Sequence, residues 1–312
     1  MEYIYLLVAC AFFSLQFIFQ KLFERKAAGG LTVCLWNLII SCLAGTAFLV
    51  IKSGLPTQFT WGAFTLAFLT AVSSIVGCLA TLTAMRYGKV SVVTTFCLAG
   101  GMILPFVFGI AALGETAGLF KWLGMGILCL SLLPPLLRTG KSVDRKGHQG
   151  KLIGYCLLVF ATNGLGSILS KTHQISAFAV DEHSYLFTSG VLNLLLSTLL
   201  LLSIALLASR RGDANAWRNT FWEIGREKMQ GRLYLLLMVI AATYSVCHTL
   251  GETFNLYCMR TMDASIQFPV ISAVVIVMSA IFGRLFFDEK ISRANALSLL
   301  MSVAGIGLLM IP

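Results

Sequence analysis

The chain alternates long apolar runs with short polar breaks. Ten such runs lie near 3–20, 31–51, 61–84, 90–112, 119–137, 152–170, 184–208, 232–257, 264–287 and 294–311. A helix that crosses the hydrocarbon core of a bilayer needs roughly 20 mostly apolar residues, so each run is read as a span. Most breaks are short: Lys21 to Gly30, Lys52 to Thr60, Arg86 to Lys89, Gly114 to Gly118. Two are longer, a linker at 138–149 and an extramembrane loop at 210–231. The pattern predicts an all-α polytopic membrane protein with ten transmembrane helices. Composition removes the soluble alternative. Only 12% of residues are charged and 58% are apolar, whereas a soluble chain carries about 25% charge. The first run has no basic residue ahead of it and no small-residue cleavage site, so it is expected to be an ordinary span and not a removed leader.

The net charge of +10 changes the picture only through its placement. Of the 23 Lys and Arg, all but Lys52, Lys121, Lys171 and Arg260 fall in or beside alternate loops, those joining spans 1–2, 3–4, 5–6, 7–8 and 9–10. Positive charge collects on the cytoplasmic side, which puts both termini outside. The basic residues form no continuous stripe, so no nucleic acid partner is expected. In the long loop, Trp217, Phe221 and Trp222 alternate with Arg218, Arg226 and Lys228, which suits either a helix on an anionic leaflet or a solvated linker. The nine cysteines fall singly in apolar runs without ligand spacing, so no metal, disulfide or cofactor is expected.

A gap-free internal match organises the chain. Shifting Ala84–Leu132 by 174 positions lays Met85-Arg86 on Met259-Arg260, Ser91 on Ser265, Phe108-Gly109 on Phe282-Gly283 and Glu115 on Glu289. At a shift of 150, Lys21 meets Lys171; at 156, Asn37 and Ser41 meet Asn193 and Ser197. The units are five spans each, 1–137 and 150–312. An odd span number inserts the second copy upside down, the arrangement of inverted-repeat secondary transporters. Leu104-Pro105 through Gly114-Glu115, followed by Lys121-Trp122-Leu123-Gly124, resembles an EamA domain of the drug/metabolite transporter superfamily. Phe268-Pro269 through Asp288-Glu289-Lys290 resembles a second copy. The resemblance implies a ten-helix bundle whose cavity is lined by spans 1–4 and 6–9, with spans 5 and 10 peripheral. It also implies cytoplasmic termini, against which the charge bias is followed here.

Polar residues at membrane depth are functional candidates by default. Ser245, His248, Glu252 and Asn255 share one stripe of span 8, and the spacing lets His248 and Glu252 share a hydrogen bond. The pair suits proton binding or an ammonium group; alternatively Glu252 reaches interfacial water and only orders its helix. Span 6 carries Asn163, Ser167, Ser170 and Lys171, with Lys171 read as an anion contact or as snorkelling to an interface. Asn37, Asn193 and Gln16 line a cavity or bond across helices. Glu115 and Glu289 are read as structural caps for the helix that follows each. Pro105 and Pro269 are expected to kink spans 4 and 9 and to free backbone carbonyls for substrate. Small residues in spans 5 and 10 (Gly124, Gly126, Ser298, Ser302, Gly305) suit helix packing, including across a homodimer.

The leading expectation is a secondary transporter in the cytoplasmic membrane. It would move a small metabolite, amino-acid-like or cationic compound by alternating access, with proton coupling or exchange. No GxxxxGK[ST] loop is present to bind ATP, and no HExxH or other catalytic constellation converges. A non-transporting receptor or scaffold is the alternative, followed by a membrane enzyme.

Overall fold

The computed structural model describes residues 2–26, 31–87, 90–134, 149–210, 231–287 and 293–311. The described residues form ten helices: α1 (Glu2–Lys26), α2 (Leu31–Ser53), α3 (Trp61–Tyr87), α4 (Val90–Ala112), α5 (Leu119–Ser131), α6 (Gln149–Ile175), α7 (Glu182–Arg210), α8 (Gly231–Met259), α9 (Ala264–Phe287) and α10 (Arg293–Leu309). Eight of them are long and apolar enough to cross a membrane, which makes this a multi-pass membrane protein; α5 and α10 are shorter apolar helices. α5 stops at Ser131, short of the expected 137, and the N–H of Leu132 turns back onto the Cys129 carbonyl at 3.3 Å. Pro134 and Pro135 follow and lack the N–H groups that would extend the helix. Nearly all of the 138–149 linker and of the 210–231 loop, together with Glu289, lies outside the described residues.

Helix ends are set by local chemistry. Thr60 caps α3 by accepting the Ala63 N–H at 3.2 Å, and Asp181 caps α7 by accepting the Ser184 N–H at 2.9 Å. Gly114, beyond the end of α4, has φ +70°, a left-handed conformation that costs other residues about 1–2 kcal/mol. Pro105 and Pro269 sit inside α4 and α9, and both helices continue through them.

The long helices pack as two four-helix groups. One holds α1, α2, α8 and α9, with α1 against α8 and α9 and α2 against α8; the other holds α3, α4, α6 and α7, with α6 against α3 and α4 and α3 against α7. The groups meet along two seams, α2 with α7 and α4 with α9, while α5 packs on α10. Water-driven burial does not bring helices together within lipid, so close packing of small residues takes that role. At the α4–α6 crossing a Cβ on Gly164 would stand 2.6 Å from the Gly100 carbonyl oxygen. At the α5–α10 contact Gly124 and Gly305 face each other, and Ser302 donates to Ser131 at 3.2 Å. The small residues Gly124, Ser302 and Gly305 are therefore used within the chain.

A polar cavity closed at one face

Between the two groups lies a cavity of about 970 Å³. It is lined from α1–α4 and α6–α9, and also touched by Leu132 beyond α5 and by Ser298 and Leu299 of α10. Of the residues singled out in the sequence, Asn37, Asn163, Ser167, Asn193, His248, Glu252 and Asn255 all line it. Gln16 is buried beside it on α1. Lys171, Pro105 and Pro269 are not among the lining residues.

The expected His248–Glu252 hydrogen bond is replaced by two others. His248 Nδ1 pairs with Gln16 Oε1 across to α1 at 2.9 Å, and its ring stacks on Tyr244 with centroids 6.1 Å apart. Glu252 Oε2 accepts from Asn255 Nδ2 at 3.2 Å, one turn along the same helix. Helical spacing places His248 and Glu252 on one face, but each finds a better-placed partner elsewhere. Asn255 is in turn gripped by Gln267 of α9, whose Nε2 donates to the Asn255 backbone oxygen at 2.9 Å and to its Oδ1 at 2.8 Å. Gln267 is fully buried, and nothing in the apolar run 264–287 marked it out.

Asn163 donates from Nδ2 to the Cys97 carbonyl at 2.7 Å, bonding across helices, and Ser167 donates to the Asn163 carbonyl at 3.3 Å. Asn37 and Asn193 share a different feature. Among the described residues the buried Oδ1 of each has no hydrogen-bond partner, and neither do the hydroxyls of Ser41 and Ser197, the four residues that the 156-position shift superposes. Ser245 turns its hydroxyl onto the Ser41 backbone carbonyl.

One face of the cavity is sealed. A buried cluster of Ala63, Ala67, Val180, Tyr185, Leu256, Met259, Ala264 and Phe268 joins α3, α7, α8 and α9 there. Tyr185 forms part of the floor, bonded to Thr70 at 3.1 Å and stacked on buried His173 with centroids 3.9 Å apart. Four polar links reinforce the seal, all meeting at the α8–α9 turn. Lys171, neither an anion contact nor a snorkelling group, is buried and donates to the carbonyls of Met259 at 2.7 Å and Met262 at 2.6 Å. Met259 ends α8, which leaves its last carbonyls unpaired, and Met262 lies in the turn that follows. Arg260 reaches Gln174 Oε1 at 2.9 Å and Glu182 Oε1 at 3.1 Å. Lys121 pairs with Asp263 at 3.3 Å. Glu115 accepts the N–H groups of Ala264 at 2.7 Å and Ser265 at 2.8 Å.

Glu115 is thus a helix cap as expected, but for α9 rather than for α5. Gly109 makes room for it, since a Cβ there would meet its carboxylate at 2.5 Å. At the opposite end the buried clusters stay within one group. Phe23, Leu237, Ile240 and Ala241 join α1 and α8, while Ala80, Ala84, Val93, Leu152, Cys156 and Val159 join α3, α4 and α6. Among the described residues, the α2–α7 seam, through Leu35, Ile39 and Leu201, is the buried cluster that connects the groups there. Among the described residues no cluster of three or more His, Cys, Asp or Glu is placed to hold a metal ion.

No family model and no curated protein matches the sequence. The fold itself has matches: 28 solved chains resemble it. One crystal structure, described no further than as that of a protein, superposes with a TM-score of 0.68 over 98% of each chain at 12% identity. At that identity the likeness extends to the fold alone: this chain has the helical architecture of solved proteins.

Proposed function

We propose that this protein is a secondary transporter of a small polar metabolite, amino-acid-like or cationic compound, working by alternating access. The observation that carries the reading is the cavity of about 970 Å³ between two helix groups, lined by side chains, many of them polar, from eight long helices and packed closed at one face. A site reached from one side at a time is the requirement of alternating access.

The packing also supports two inverted five-span repeats. Exchange each helix with the one five places along. The α1–α8 contact becomes α6–α3, α1–α9 becomes α6–α4, and α2–α8 becomes α7–α3, while α2–α7, α4–α9 and α5–α10 map onto themselves. In this reading α5 and α10 complete ten spans, and the chain belongs with the EamA-type members of the drug/metabolite transporter superfamily. With both termini outside, the sealed face is the outer one and the cavity faces the cytoplasm.

The test is counterflow in liposomes with the purified full chain, using pooled labelled metabolites at two pH values. Concentrative exchange of one or more compounds is expected. A monodisperse preparation that moves none of them, while hydrolysing or modifying a lipid, would overturn the reading.

A further inference from the structure

We infer that the cavity is built for an organic cation, whose ammonium or similar group is met by the free oxygen of Glu252. This names the substrate class of the proposed transport site and rests on that reading. The first support is the charge inventory. Among the described lining residues Glu252 is the one acidic side chain, and there is no Lys or Arg. Charged groups at membrane depth normally pair with each other, yet no ion pair to Glu252 occurs among the described residues.

The second support is the way Glu252 is held. A backbone carbonyl can only accept, so the Gln267 group facing the Asn255 carbonyl is its NH2. The same NH2 also faces the Asn255 side chain, and the atom it meets there must be the acceptor Oδ1. The Asn255 NH2 is thereby turned toward Glu252, which must accept. The relay fixes Glu252 as an acceptor through Oε2, and no hydrogen bond occupies Oε1 among the described residues, which leaves it for a ligand donor. Nothing in it supplies a donor for a ligand's carboxylate.

The third support is location. Glu252 is seven residues from the end of α8, about 10 Å along the axis. Leu256 and Met259 lie between it and that face, inside the sealing cluster. Interfacial water on that side is therefore shut out, and Glu252 looks into the cavity. Phe17, Tyr185 and Tyr244 line the same space, and aromatic faces attract a desolvated cation.

The test uses three probes of nearly equal shape: 2-phenylethylammonium, 2-phenylethanol and phenylacetate. Binding of each labelled probe to the full chain in nanodiscs is measured by scintillation proximity. The ammonium is expected to bind at least ~10-fold tighter than the alcohol, about 1.4 kcal/mol, with phenylacetate weakest. Glu252→Gln should bring the ammonium within about twofold of the alcohol, because an amide has no net charge to offer. Gln267→Leu should erode the preference in part by releasing Asn255.

The inference is overturned if the ammonium fails to bind, if either other probe binds as well, or if Glu252→Gln keeps the preference. Should that variant not fold, the wild-type ranking decides alone. Counterflow separates this inference from the transport reading. An ammonium that binds but never moves refutes transport and leaves the cation site standing. A neutral probe that moves without ammonium binding does the reverse.

Discussion

Glu115→Gln tests whether the sealed face is one state of a two-state protein. Glu115 accepts two N–H groups at the start of α9, from Ala264 at 2.7 Å and Ser265 at 2.8 Å. Glutamine keeps the shape but accepts at most one of them and turns its NH2 toward the other. The loss is one charge-assisted hydrogen bond, about 1.5–3 kcal/mol, and part of a favourable charge–dipole interaction, about 0.3–1 kcal/mol. If the links at the α8–α9 turn form only while this face is closed, the whole amount acts on the conformational equilibrium. A shift of ~2 kcal/mol is roughly 30-fold.

The assay is the labelling rate of a cysteine introduced at Ser74, which lines the cavity, after Cys78 and Cys97 on the same wall are replaced by alanine. A membrane-impermeant thiol reagent is added to oriented proteoliposomes from the face of the Glu115 loop. The parent should be protected, and Glu115→Gln should label about 30-fold faster by the same conversion. If thermal stability falls but the labelling rate stays within about twofold, Glu115 holds every state of the protein equally. The gating argument then fails.

Three further outcomes follow from the packing. Lys171→Met strips the donor from the carbonyls of Met259 and Met262, at about 1–3 kcal/mol for each buried acceptor left unpaired; a lowered melting temperature checks it, and no change would mean water replaces the ammonium. Gly164→Leu forces a Cβ to 2.6 Å from the Gly100 carbonyl, an overpacking cost of about 3 kcal/mol or more, so aggregation is expected on size-exclusion chromatography. In Gly124→Leu the added Cβ meets the Gly305 carbonyl oxygen and the Leu309 backbone nitrogen, each at 2.9 Å. It should lower the melting temperature at every protein concentration, because the contact lies within the chain; dissociation of a dimer with an intact monomer would contradict this.

How much of this was legible in the sequence follows from what each signal depends on. The spans are a one-dimensional signal, since apolar length alone separates a crossing helix from a loop. Most helix ends accordingly fall within a few residues of the apolar runs; α1 and α6 run further at their C-terminal ends, and α5 stops short where Pro134 and Pro135 follow. Partners are a different matter, because helices in lipid are matched by shape and by polar contacts between distant segments. Helical spacing brought His248 and Glu252 to one face, yet His248 bonds to a residue 232 positions away. Glu115 reads as a cap from its loop position, but the N-terminus it caps begins 149 residues later.

Lys171 was misread for the same reason. A lysine near a span end resembles one that snorkels to water, and only the fold reveals the Met259 and Met262 carbonyls beside it. The internal sequence match is the one sequence feature that carried long-range information. Its 174-position shift places Ser91 on Ser265, the residue whose N–H Glu115 accepts, and its 156-position shift pairs Asn37 with Asn193 and Ser41 with Ser197. Those four share a property that no single position reveals, a buried polar atom without a partner. An unmet hydrogen bond in a membrane interior costs free energy, and Asn37, Ser41 and Asn193 line the cavity, where water or a ligand can meet them. A device that rocks between two arrangements around a common site needs groups satisfied by its ligand or by its other state. These pairs on α2 and α7, beside the seam where the two helix groups meet, are where the proposed repeat would write such a requirement twice.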